Sequence, residues 1–172
     1  WDGVVKKLMY SGGLFSPMVC NFELVKAIDM SYQGYSELSP TISYFPSLES
    51  LDLSGNNIDT LPIEIASLPN LKELILLDNP VQSSLTWSSE GLVSFPDVLQ
   101  LFAGLTHLDL SYNNIDGGNS AVLEGLSHLE VLSLEQNQLS EIPAEVLTLH
   151  NLIILDLSHN LLNDDLSDVL SK

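Results

Sequence analysis

The chain has 172 residues, room for one ordinary domain, with 45% hydrophobic and only 7% aromatic content. Five lysines, no arginine and 23 acids leave a net charge of −18, which excludes nucleic acid as a direct ligand and disfavours anionic membrane surfaces, because both are held by clustered cations. No run of 18 apolar residues is present, so no membrane insertion is expected.

In chain order, residues 1–24 are expected to form a degenerate N-terminal coil or cap. Val5, Leu8, Tyr10, Gly13 and Phe15 follow the later pattern loosely, spaced 20 before Val25, with Lys6 and Lys7 among them. From Val25 onward one phrase recurs: leucine–x–x–leucine–x–leucine–x–x–asparagine–x–leucine. Coils start at residues 25, 48, 71, 105, 129 and 152, so the steps are 23, 23, 34, 24 and 23. A fixed period of this length marks a stacked solenoid in which each coil buries its apolar side against its neighbours. The clearest copy is Leu48, Leu51, Leu53, Asn56, Ile58.

Within a coil, Leu51–Leu53 alternates apolar and polar residues as a short strand does, with Asp52 facing outward. The recurring asparagine has an amide that both donates and accepts, so it can bond backbone groups where the chain turns. Gln33 takes that place in the coil at 25 and, one methylene longer, predicts a looser turn. The second half reads Leu61-Pro62-x-x-Ile65-x-x-Leu68 and predicts a short helical return, with Pro62 in the first turn. The 34-residue step predicts an insert near 82–92, serine-rich around Trp87. The last coil starts at Leu152 without a polar cap, so the chain reads as a fragment of a longer protein.

This frame, LxxLxLxxNxL followed by LPxxIxxLxN over residues 25–172, resembles the leucine-rich repeat superfamily, and within it the typical 23-residue intracellular kind found in Ras-pathway and polarity scaffolds. The resemblance implies an α/β solenoid with a parallel concave sheet and short helical or irregular convex returns. Its function is implied to be protein–protein interaction.

Candidate binding residues are those the frame places on the concave face. Between the strand leucines lie Asp29, Asp52, Ile75, Asp109, Ser133 and Asp156, with Met9 ahead of them. Aligned aspartates suit a cation or a lysine- or arginine-bearing partner, although leucine-aspartate-leucine-serine is also ordinary filler in the family. A second column reads Gly12, Tyr32, Gly55, Asp78, Tyr112, Gln136, His159, and exposed tyrosines are common interface anchors. Apolar departures occur at Ile75, Leu77, Ile153 and Ile154. The partner-binding set is therefore Tyr32, Asp52, Ile75, Leu77, Trp87, Asp109, Tyr112, Asp156 and His159. Trp87 is either a binding anchor in its insert or, with Leu85, a cover for the convex edge.

No catalytic or metal-ligating set emerges. Cys20 has no histidine near it in the frame, and His107, His128, His150 and His159 are scattered along the coils. Gly117-Gly118 lacks the lysine of a phosphate loop. The chain is thus expected to be no enzyme and to need no cofactor: a scaffold, or the recognition arm of a larger complex, holding a protein partner with a basic patch on an acidic concave face. The alternatives are the substrate-recognition segment of a larger enzyme and an extracellular receptor or adhesion domain. One cysteine and no Asn-x-Ser/Thr frame favour a cytoplasmic location over an extracellular one.

Overall fold

The computed structural model describes the backbone of Val4–Lys6 and residues 22–162. The chain divides into two units, Trp1–Leu85 and Thr86–Lys172. The described residues contain eight short strands: β1 (Val4–Lys6), β2 (Ala27–Asp29), β3 (Ser50–Asp52), β4 (Glu73–Ile75), β5 (Ser84–Thr86), β6 (His107–Asp109), β7 (Val131–Ser133) and β8 (Ile154–Asp156). They form two four-stranded sheets, ordered β1-β2-β3-β4 and β5-β6-β7-β8. Pairing is parallel, as strands joined by one-way coils must be.

The frame explains the register. Counting the first leucine of each phrase as position 1, the position 4 residues Ile28, Leu51 and Leu74 pair across the first sheet, and Leu108, Leu132 and Leu155 across the second. Position 6 also points inward: Met30, Leu53, Leu76, Leu110 and Leu134 are buried. Opposite the strands, the returns are 3-10 turns such as Ile63–Ser67 and Ala144–Thr148, each preceded by its proline and burying Ile65 or Val146. Pro62 and Pro143 therefore sit just before the turn, where a fixed φ near −60° suits an extended entry. Tight 3-10 winding lets a five-residue return close a 23-residue coil.

The asparagines tie coil to coil. The Asn113 side chain accepts from the N–H groups of Glu90 and Leu92 (both 3.0 Å) and donates to the carbonyls of Trp87 (2.8 Å) and Leu110 (2.9 Å). Asn56 does the same for Gln33, Tyr35, Met30 and Leu53. Asn79, Asn137 and Asn160 repeat the scheme, each bonding its own coil and the one before. Gln33, with its longer side chain, leaves the slot, stays exposed and bonds the carbonyl of Ser31 at 2.8 Å.

Two sequence expectations need correction. Residues 82–92 are not a loop insert. Trp87 N–H bonds Asp109 O (2.8 Å) and Ser89 N–H bonds Ser111 O (3.0 Å), as Met30 and Tyr32 bond Asp52 and Ser54 one coil apart. The stretch is thus a coil starting at Gln82, with β5 as its strand and Phe95, Leu99 and Phe102 buried in its second half. The 34-residue step is a shortened coil of 11 residues, closed by the 3-10 turn Pro80–Gln82, followed by a full coil of 23. In the first coil Val5 pairs with Ile28 and Lys6 with Asp29, so the frame lies 23 residues before the next one and not 20. Lys6, not Met9, therefore heads the aspartate column; Leu8, Met9, Tyr10, Gly12, Gly13 and Phe15 lie outside the described residues.

Replacing Asn113 with alanine leaves four backbone groups without their partner, two of them buried, and should lower unfolding free energy by about 2–4 kcal/mol. The exposed Gln33→Ala change should stay within about 0.5 kcal/mol. Urea denaturation followed by circular dichroism measures both, and equal losses would remove the special role of the buried amide.

Candidate functional site

The sheet faces carry the outward residues, positions 2, 3, 5, 7 and 8 of each coil. In the first unit position 2 holds a charge ladder: Glu49 lies 2.7 Å from the Lys26 ammonium and 2.8 Å from that of Lys72. Hydrogen bonds from Lys26 and then Lys72 hold its carboxyl at about 2, against an ordinary 4.5. Beside it Ser50 donates to Glu73 at 2.7 Å. This face is therefore charge-compensated at position 2.

The position 5 aspartates are turned to local work. Asp29, Asp52 and Asp156 each accept from the backbone N–H and the hydroxyl of the serine two residues on, with hydroxyl distances of 2.6 Å. Asp109 accepts the N–H of Ser111 at 2.9 Å. These side chains fasten the bend after the strand. The Asp156 carboxyl is held below its usual range by the Ser158 hydroxyl and then the Ser158 N–H. Asp29 and Asp52 stand opposite each other in register, and those donors offset part of their repulsion.

Position 8 is a column of left-handed backbone. Tyr32, Asp78, Ser89, Tyr112, Gln136 and His159 have φ between 52° and 64°, with Gly55 at 66°. Only glycine adopts this conformation without cost. The turn throws each side chain clear of the sheet, and Tyr32 and Tyr112 are both exposed. The Tyr32 ring lies over Gly55, where a Cβ would collide with it. Tyr112 also leans to the next coil, its hydroxyl 3.4 Å from Glu135. Around Tyr112 an open depression of about 460 Å³ is lined by Ser89, Asn113, Asn114, Gln136, Asn137 and Gln138, all uncharged and polar.

Of the residues singled out from sequence, Tyr32, Asp52, Ile75 and Leu77 lie on the first unit's face, with Ile75 beside Asp52 in register and Leu77 exposed. Asp109, Tyr112, Asp156 and His159 lie on the second unit's face. Trp87 does not belong with them. It occupies inward position 6 of its coil, is 1% exposed and meets Phe102 edge to face at 6.3 Å, so it is a core residue and no anchor. Two isoleucines noticed but left out of the binding set are the most exposed of the apolar strand-side residues, Ile153 at 77% and Ile154 at 55%. Their signal was apolar character at positions 2 and 3, where the other coils mostly carry polar groups.

Residues 46–89 match the model for two copies of leucine-rich repeats, and residues 94–139 match a further leucine-rich repeat model, together half of the chain. The chain belongs to the leucine-rich repeat family. Leucine-rich repeats generally mediate protein–protein interaction and are typically non-catalytic. A probable serine/threonine-protein kinase of Dictyostelium discoideum is 36% identical over 82 residues, which is 46% of this chain and 7% of that protein. Internalin C2 of Listeria monocytogenes is similar at 24% identity and TM-score 0.45, over 84% of this chain and 66% of that one. The leucine-rich repeat ectodomain of the receptor kinase SOBIR1 of Arabidopsis thaliana is similar at 28% and 0.38, over 78% and 70%. A leucine-rich repeat protein of Leptospira interrogans is similar at 23% and 0.36, and this chain spans about half of it, 52%. Among the described residues of this repeat chain no helix is long and apolar enough to cross a membrane.

The Glu49 ladder gives a pH prediction. Its folded carboxyl is depressed, so its contribution to stability is fully present above about 4.5 and is lost as pH falls toward about 2. Carboxyl carbon NMR shifts should titrate near 2 in the parent protein and return toward 4.5 when Lys26 and Lys72 are both changed to alanine. An unchanged midpoint in the double variant would contradict the ladder.

Proposed function

We propose that this chain is a non-catalytic protein-binding module, a scaffold or the recognition arm of a larger assembly, and that it takes a partner bearing a basic patch on the sheet face of its second unit. The observation that carries this reading is the charge contrast between the faces. The first unit pairs Glu49 with two lysines, whereas the second, residues 86–172, has 13 acids and Lys172 as its one lysine or arginine. Asp109, Glu130, Glu135 and Asp156 fall at sheet-face positions of that stretch, beside Tyr112, His107 and His159. A rigid acidic sheet carrying aromatic groups favours association with a basic partner by steering and by pairing. A cytoplasmic setting accords with the single cysteine.

The second reading is the recognition segment of a larger enzyme. It is favoured by the 36% identity to a probable serine/threonine-protein kinase, although the shared stretch is 7% of that protein.

Cross-linking of the protein purified with its native partners tests the proposal. Because the second unit lacks lysine before Lys172, the reagent should be photoreactive or carboxyl-reactive. Cross-links are expected at positions 2–8 of the coils starting at 105, 129 and 152. A partner attached only through the 3-10 returns would overturn the proposed face.

A further inference from the structure

The turns that follow the second unit's strands carry a surface unlike the acidic sheet beside them. In the open depression of about 460 Å³ at Tyr112, the buried members are the turn asparagines Asn113 and Asn137, whose amides are occupied by backbone partners. The other members, Ser89, Tyr112, Asn114, Gln136 and Gln138, are exposed. No carboxylate, ammonium or imidazole lines it, although the chain carries a net charge of −18.

Much of its hydrogen-bonding capacity is unspent. Gln138 Nε2 donates to Asn114 Oδ1 at 3.3 Å, which leaves the Asn114 amide hydrogens, the second Gln138 N–H and the Gln138 side-chain oxygen for a ligand. The Ser89 hydroxyl and the Gln136 amide make no side-chain hydrogen bond among the described residues. Tyr112 turns its hydroxyl toward Glu135, 3.4 Å away, so what it offers the depression is its ring.

The backbone holds this arrangement in place. Ser89, Tyr112 and Gln136 donate their N–H groups to the next coil (3.0, 2.9 and 2.9 Å), while Asn114 and Gln138 donate theirs to the preceding one (2.7 and 2.9 Å). Little ordering is therefore left to a docking event. The first unit lacks the combination. Its counterparts of Asn114 and Gln138 are Gly34, Asn57 and Pro80, so Tyr32 has a ring over Gly55 but no pair of amides beside it.

We propose that this depression binds a neutral saccharide. An anion is repelled by the surrounding field, and a cation finds no carboxylate here while Asp109 and Glu130 offer theirs on the strands. Small-molecule sites are mostly apolar, and this lining is the reverse, so the ligand is hydrophilic as well as uncharged. A sugar hydroxyl both donates and accepts, which matches amides that do both. The C–H face of the sugar ring packs on Tyr112, whose rigid ring adds contact area at low entropic cost. An extended peptide also presents donors and acceptors, but it is selected by pockets for its side chains, and the depression supplies none. This saccharide site lies beyond the protein-binding reading and does not depend on it.

The test titrates the purified chain with neutral oligosaccharides of glucose, mannose, galactose and xylose up to about 10 mM, so that a Kd anywhere through the millimolar range is seen. NMR of the side-chain NH2 groups is the readout. At least one sugar should shift Asn114, Gln136 and Gln138 saturably. Tyr112→Asn, which removes the ring but tolerates the left-handed backbone, should weaken that sugar by about tenfold, as should Asn114→Ala with Gln138→Ala. Tyr32→Asn, the same change in the first unit, should leave it unaltered. All of these positions are exposed, and circular dichroism verifies the fold of each variant. No shift with any of the sugars overturns the proposal, and so does a shift that both second-unit variants retain. Equal binding of a sulfated oligosaccharide would remove the preference for neutral ligands, and equal binding of a glycine–serine peptide would make the depression a reader of peptide backbone; either overturns it. Native cross-links to the strand positions are unaffected by these outcomes, so the saccharide site and the binding-module reading fail separately.

Discussion

The structure depends on one constraint: a coil that leaves its strand must turn sharply without burying unbonded backbone. In Asn56, Asn79, Asn113, Asn137 and Asn160 a single amide supplies both the acceptor and the donor that the turn requires. Each also reaches the preceding coil, so the bond that closes one turn sets the offset of the next. Leucines supply the apolar driving force, but a leucine column alone would tolerate sliding. The amide does not, because its geometry admits one partner set.

Fixed offset converts sequence period into surface columns. Residues 23 apart become neighbours, which is why Lys26, Glu49 and Lys72 meet although nothing joins them along the chain. Similarly, Ile154 comes to face Val131 from the next coil of the second unit. What differs between units is the side chains placed on the same scaffold, and binding character follows from those choices.

Much of this was legible in the sequence. Frames at 48, 105 and 129 announce strand, turn and return, and that at 152 announces strand and turn; the asparagine's double role follows from its chemistry. The coil at 82 was hidden because Trp87 fills a leucine position and Glu90 an asparagine position; only Leu85 and Leu92 kept the pattern. Gln82 also stands where a leucine belongs, and once three of five markers change type, spacing alone cannot tell a worn coil from a loop. The first coil is ambiguous by three residues for the same reason: its apolar residues fit two offsets, and the pairing of Val5 with Ile28 selects one. The work of the aspartates was recognisable as filler but not as bend-fastening, since a bond two residues on depends on a backbone shape that no period reveals.

Position 8 has a wider consequence. Six non-glycine residues there, among them Tyr32 and Tyr112, hold a backbone shape that costs an L side chain about 1 kcal/mol, whereas Gly55 holds it without penalty. Any drift or design that rewards thermal robustness alone would replace these residues with glycine and smooth the column. The aromatic rings that reach out of this protein therefore stand at the places where robustness and display are in direct competition.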